Sequence, residues 1–174
     1  PGARSIGYHR DNAYLAWYQP TAMLSCWIAL DDTNAKGGTI EFARGSHRWS
    51  PTEPAGEFHG PSDYRAALEQ HAAEQQQTPD IVHVEVPAGG GSFHHSWLWH
   101  GSGENRTHPP RRALVLHAMR SDARYSKGHL GKGNGPIYGR YQKLGSDDMD
   151  ENYFPVLWRP DGYRTTMIDA YLAD

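Results

Sequence analysis

Three side chains in this sequence have the chemistry to share a metal ion: His9, Asp11 and His100. Side chains alternate along an extended strand, so His9 and Asp11, at i and i+2 in Tyr8-His9-Arg10-Asp11, point to one face and can grip one ion together. A third ligand is needed, and His100 in Trp99-His100-Gly101-Ser102-Gly103-Glu104-Asn105 is the candidate. Two imidazoles and a carboxylate on one face of an octahedral ion leave three positions open, which suits Fe(II) binding a 2-oxo acid and O₂. His94 and His95 stand close by, and on a continuous strand His94 would share a face with His100.

The surrounding blocks give the triad its specificity. His9-Arg10-Asp11, then Trp27-Ile28-Ala29-Leu30-Asp31-Asp32, then Gly37-Gly38-Thr39 leading to Gly45-Ser46-His47-Arg48, then His100-Gly101-Ser102-Gly103 with Asn105 and Arg111, occur in a fixed order. This series resembles the phytanoyl-CoA dioxygenase family of Fe(II)- and 2-oxoglutarate-dependent oxygenases, over about residues 8 to 118. Tyr138-Gly139-Arg140-Tyr141 through Phe154-Pro155 is a fainter echo. The resemblance implies His9, Asp11 and His100 as iron ligands, with 2-oxoglutarate and O₂ as co-substrates, and names His100 rather than His94. It implies that Arg111 pairs with the distal carboxylate of 2-oxoglutarate, supported by the Ser102 hydroxyl, with Trp27, Thr39 and Asn105 near the cofactor. A guanidinium suits that task because its planar fork grips carboxylate through two hydrogen bonds. Arg112 would face the other way. Related halogenases lack a carboxylate at the Asp11 position so that chloride can enter, so Asp11 favours hydroxylation or a related oxidation of an unactivated C–H bond in a small molecule. Desaturation and ring closure stay open.

A non-oxidative, cupin-type metal protein that binds or isomerises a ligand is the alternative function, but it has no need of a carboxylate clamp at Arg111. A binding module with a vestigial site is opposed by the intact triad. Gly131-Lys132-Gly133-Asn134-Gly135 lacks the Gly-Lys-Ser/Thr ending of a phosphate loop. His9-Arg10-Asp11 spells a protein-kinase triplet, yet no Asn follows at the required spacing and no Asp-Phe-Gly exists.

These residues need a scaffold of strands. A strand is expected through His9, with a turn at Asn12. The apolar run Ala22 to Leu30 reads as a strand buried on both faces, and Thr39 to Phe42 as a short one. Ile81 to Val86 alternates strictly, Phe93 to His100 reads as one aromatic and histidine-rich strand, and Ala113 to Met119 as another. Short strands broken by Gly and Pro turns predict a mainly β fold, a double-stranded β-helix or cupin-like jelly roll. A helical or loop insertion at about residues 50–80, with Ser62 as N-cap, either covers the site or is a solvated surface helix with a mobile linker. The C-terminal segment reads as irregular. Tyr14, Trp17, Tyr18, Trp97 and Trp99 are candidates for an aromatic wall that suits a natural-product or amino-acid-like ligand.

At 174 residues the chain fits a single oxygenase domain, 1–174, and Pro1 stands so close to the first ligand that the family's N-terminal helical part is expected to be missing. A net charge of -3 gives no reason to expect nucleic acid or an acidic membrane as partner. No apolar run is long enough to span a bilayer, and the lone Cys26 allows no internal disulfide, so a cytoplasmic location is the default. Oligomeric state is not readable from these residues.

Overall fold

The computed structural model describes residues 3–56, 58–131 and 133–172, so Pro1 and Lys132 of the glycine-rich loop lie outside the described residues. The strands, in chain order, are β1 (Ile6–His9), β2 (Tyr18–Gln19), β3 (Met23–Ala29), β4 (Ile40–Ala43), β5 (Ile81–His83), β6 (Gly91–His95), β7 (His100–Ser102), β8 (Ala113–Met119) and β9 (Arg124–Tyr125). The helices are α1 (Ala66–Glu74), α2 (Gly135–Tyr138) and α3 (Thr166–Leu172). The chain divides into two compact units, one formed by Pro1–Ala13 and Met23–Ala118, the other by Tyr14–Ala22 and Met119–Asp174.

The first unit carries the two sheets of a jelly roll, ordered β1-β7-β4-β5 and β6-β3-β8. Apolar residues from both sheets meet between them: Trp27 and Ala29 of β3 with Ile40 of β4, flanked by Phe42, Val84, Val86 and Ala113. A second cluster lies on the other face of the first sheet, where Tyr8, Ala43 and Trp99 receive Leu68 of α1. The strand buried on both faces is therefore β4, not the run from Ala22 to Leu30. In β3 burial alternates, with Met23, Ser25, Trp27 and Ala29 turned inward, while Leu24 and Leu30 just beyond are 47% and 52% exposed.

Two further expectations are corrected by hydrogen bonding. Phe93 to His100 is not one strand: β6 ends at His95, a turn closed by Leu98 N–H to His95 O follows, and β7 begins at His100 in the other sheet. The alternating stretch from Ile81 is a strand only to His83. Beyond it Val84 N–H still donates to Ile40 O at the start of β4, Thr33 N–H donates to Val86 O, and the hydroxyls of Thr33 and Thr39 donate to Val84 O at 2.9 and 2.6 Å. Gly38 shows why a glycine stands there. Its φ is +69°, and a Cβ would lie 2.4 Å from Gly103 O.

The insertion contains the expected helix, later than Ser62 implies. Helix α1 starts at Ala66, and Asp63 Oδ1 accepts from the Arg65 N–H at 3.0 Å, so Asp63 organises the entry and Ser62 does not cap it. Around the buried Glu41, Tyr8 Oη, Tyr64 Oη and an Arg65 nitrogen donate at 3.0, 3.1 and 2.8 Å, which fastens the insertion to β4. Gly7 N–H donates to Phe58 O and Tyr8 N–H to Tyr64 O, so segment 58–64 covers the outer edge of β1.

In the second unit β2 pairs antiparallel with β9, Tyr18 opposite Tyr125. Trp17 is its aromatic centre, stacked on Tyr138 at 4.7 Å and packed near Tyr125 and Phe154. Much of the remainder is irregular, as expected from the sequence, apart from α2 and α3.

Candidate metal centre

Strands β1 and β7 set His9 directly opposite His100, and directly opposed side chains share a face. Both rings are anchored in the same way. Nδ1 of His9 bonds Gly7 O at 2.9 Å and Nδ1 of His100 bonds Leu98 O at 2.9 Å. A carbonyl can only accept, so each Nδ1 carries the proton and each Nε2 keeps its lone pair for a metal. Ligand atoms of His9, Asp11 and His100 all lie within 4.8 Å of one another, and Asp11 Oδ1 stands 3.7 Å from His9 Nε2 and 3.6 Å from His100 Nε2. The expectation that His9 and Asp11 converge by alternation on one strand is corrected: β1 ends at His9, and Asp11 opens a 3₁₀ turn, Asp11–Tyr14, from which its carboxylate approaches both rings.

The electrostatics prepare all three groups for a cation. Burial, then the neighbouring His9 ring, push the His100 imidazole down to about 3. Burial also lowers His9. Burial acts to raise the Asp11 carboxyl, but the imidazoles of His94, His100, His9 and His117 around it hold it well below the usual carboxylate range. At neutral pH the set is one anion and two neutral imidazoles, the protonation states a divalent ion requires.

The other outer oxygen of Asp11 is also held. Ser25 Oγ donates to Oδ2 at 3.0 Å and stands 2.9 Å from His117 Nδ1, so a Ser25–His117 pair orients the carboxylate from behind. Sequence reasoning missed Ser25 and His117, since neither sits in a motif with metal-ligand spacing. It also missed Phe58, whose ring stacks on His9 at 4.6 Å and 21°. Segment 58–64 therefore reaches the site through Phe58, while α1 braces the far side of the sheet.

Arg111 and Ser102 come together, the guanidinium NH2 lying 3.5 Å from Ser102 Oγ. Arg111 Nε is buried without a hydrogen-bond partner, and burial lowers the guanidinium from its usual range. Arg112 faces outward and pairs with Asp31 through two nitrogens at 2.7 and 3.1 Å. Trp27 packs in the core between the sheets, and the Thr39 hydroxyl donates to Val84 O. Asn105 shapes a turn through Pro109 O and Thr107. Trp97 and Trp99 of the expected aromatic wall turn to other partners. Trp99, one residue from His100, faces the opposite side and donates to His71 Nδ1 at 2.9 Å, Trp97 lies under the Arg10 guanidinium, and Trp17 and Tyr18 belong to the second unit's cluster.

A jelly roll with two imidazoles and one carboxylate converging at the end of β1 and β7 defines a class of mononuclear metal-site proteins. Within that class the phytanoyl-CoA dioxygenase (PhyH) family model matches residues 1–113, and the chain belongs to this family. It is 29% identical over 127 residues to human peroxisomal phytanoyl-CoA dioxygenase, covering 67% of this chain and 34% of that protein. It is 32% identical over 124 residues to a probable phytanoyl-CoA dioxygenase of Caenorhabditis elegans, covering 66% of this chain and 36% of the relative. The chain thus spans about a third of the length of these curated relatives. Among solved structures, the non-heme alpha-ketoglutarate-dependent carbocyclase SnoK from nogalamycin biosynthesis is 25% identical with a TM-score of 0.61, covering 85% of this chain and 54% of that one. The epimerase SnoN, at 21% identity and a TM-score of 0.55 over 82% of this chain and 47% of that one, shares the fold. No helix among the described residues is long and apolar enough to cross a membrane.

Proposed function

We propose that this chain carries the Fe(II) and 2-oxoglutarate site of an oxygenase that oxidises an unactivated C–H bond of a small molecule. The observation that carries this reading is a neutral-imidazole, carboxylate triad within 4.8 Å in the same unit as a partly buried guanidinium that has no ion-pair partner among the described residues. His9, Asp11 and His100 would hold the metal facially and leave three positions open. Iron held there with 2-oxoglutarate and O₂ would supply the oxidant for the C–H bond, with succinate and CO₂ as co-products. Arg111 and Ser102 would bind the far carboxylate of that acid, and the desolvation of Arg111 strengthens such a pair. Phe58 covers one face of His9 and limits water there. Likeness to a carbocyclase of natural-product biosynthesis supports a natural-product substrate, in place of the aromatic-wall argument.

Anaerobic addition of Fe(II) and then 2-oxoglutarate should produce the visible charge-transfer band of the chelate, and admission of O₂ should release succinate. A protein that binds Fe(II) yet gives neither band nor 2-oxoglutarate binding would instead be a cupin-type metal protein without oxidative chemistry.

A further inference from the structure

His94 is 4% exposed, and neither ring nitrogen has a hydrogen-bond partner. A buried polar group left unpaired costs about 1–3 kcal/mol, so such a ring calls for an explanation. Its ring lies 4.6 Å from that of His100 and 5.0 Å from that of Phe42, so it belongs to the wall of the metal centre. Nε2 stands 3.7 Å from Asp11 Oδ2, an electrostatic approach too long for a hydrogen bond. Nor does His94 join the convergent ligand set, which consists of His9, Asp11 and His100.

Two more unpaired buried polar atoms lie in the same unit. On β6, His94 is paired with Ser25 and Ser92 with Trp27, so Ser92 and His94 point to the same inner face. Ser92 Oγ is buried without a partner, as is Nε of Arg111 at the head of β8. Apart from Arg65 Nε in the Glu41 cluster, these are the unpaired buried side-chain atoms of this unit among the described residues. A hydroxyl, an imidazole and a guanidinium can all donate, and Arg111 can only donate. Three donors without acceptors fit an acceptor-rich ligand.

We propose that His94, with Ser92 beside it, binds the metal-side carboxylate of the 2-oxo acid, opposite the end held by Arg111. The proposal rests on the 2-oxoglutarate reading above. It makes His94 a binding residue for the co-substrate and not a fourth metal ligand. An N–H from its ring would donate to a carboxylate oxygen of the acid beside Asp11 and so orient the acid.

The test uses the whole chain, anaerobically, with Fe(II) and 2-oxoglutarate as probes. His94→Phe keeps a ring of similar bulk without nitrogen, and His94→Gln keeps a donor; thermal unfolding checks that both fold. Calorimetry measures Fe(II) affinity without the acid, then 2-oxoglutarate affinity of the iron-loaded protein. His94→Phe should leave Fe(II) affinity within about threefold, weaken 2-oxoglutarate about tenfold to a hundredfold, as for a lost hydrogen bond to a charged group, and move the charge-transfer band. His94→Gln should recover part of the affinity, and Ser92→Ala should lose severalfold. Unchanged 2-oxoglutarate affinity and an unmoved band in His94→Phe would overturn the proposal while leaving the oxygenase reading intact. Loss of Fe(II) binding as severe as in His100→Ala would make His94 a ligand and overturn it too. Failure of the unsubstituted protein to bind 2-oxoglutarate would remove both readings.

Discussion

Replacing Arg111 with leucine should weaken 2-oxoglutarate strongly and leave Fe(II) affinity almost unchanged. Arg111 is not a metal-site residue, and its nearest polar contact is the long 3.5 Å approach to Ser102 Oγ. None of the ion pairs found among the described residues satisfies it, so its charge is uncompensated until an anion arrives. Truncating one partner of a buried, hydrogen-bonded charge pair costs about 2–5 kcal/mol, or roughly thirty-fold to several thousand-fold in affinity. Arg112→Leu is the internal control, since that guanidinium is exposed and engaged with Asp31, and its effect on binding should be small. Lysine at position 111 should rescue in part, keeping the charge and losing the fork. Calorimetric titration of 2-oxoglutarate into the iron-loaded variants decides the matter. Equal losses for Arg111→Leu and Arg112→Leu, or a loss of Fe(II) affinity in Arg111→Leu as large as that for the co-substrate, would refute the placement of the clamp.

His9→Ala, Asp11→Ala and His100→Ala should each cut Fe(II) affinity by at least an order of magnitude, measured by calorimetry, because two ligands cannot hold the ion facially. Asp11→Gly opens a coordination position, and halide-dependent changes in the visible spectrum of its Fe(II) complex should accompany the loss. Stability of the metal-free protein should fall as pH drops below 6.5: His9 and His100 are lowered in the fold, so the unfolded chain binds more protons there, at about 1.4 kcal/mol per pH unit per group. For His100 this continues to about pH 3, and a urea midpoint unchanged between pH 7 and pH 5 would contradict it. Gly101→Ala should destabilise by about 1–3 kcal/mol in chemical unfolding, because the added Cβ would sit 2.8 Å from Tyr8 Cδ2 and 2.9 Å from Ile6 O.

The sheet architecture was legible because turns and short apolar runs mark strands whatever their partners are. What a local pattern cannot reveal is which face a distant element covers. The run from Ala22 to Leu30 is as apolar as a doubly buried strand, yet α1 packs behind β4 and β1, so β4 is the strand enclosed on both sides. The candidate ligands His9 and His100 were named from their blocks, but alternation gave the wrong reason for Asp11, whose turn begins where β1 stops. His94 gives way to His100 in the sequence because the family resemblance names only the later position. The break after His95 places the two rings on different sheets and still in contact. Ser25, His117 and Phe58 act through contacts spanning 14 to 92 positions of sequence or through ring stacking, and no spacing rule encodes those.

The pairing of His9 with His100 has a consequence for the life of the chain. An ion held between them joins positions 91 residues apart, tying the first strand to the middle of the sequence. Closing a loop of that length costs a free chain about 4 kcal/mol of entropy, and the metal meets part of that cost only in the folded state. At a hundred times its dissociation constant, a ligand confined to the folded state adds about 2.7 kcal/mol to stability. Iron bound at these residues would act as a clasp as well as a reagent. Its supply would then set how long β1 stays fastened, and so how often the chain is open to proteases.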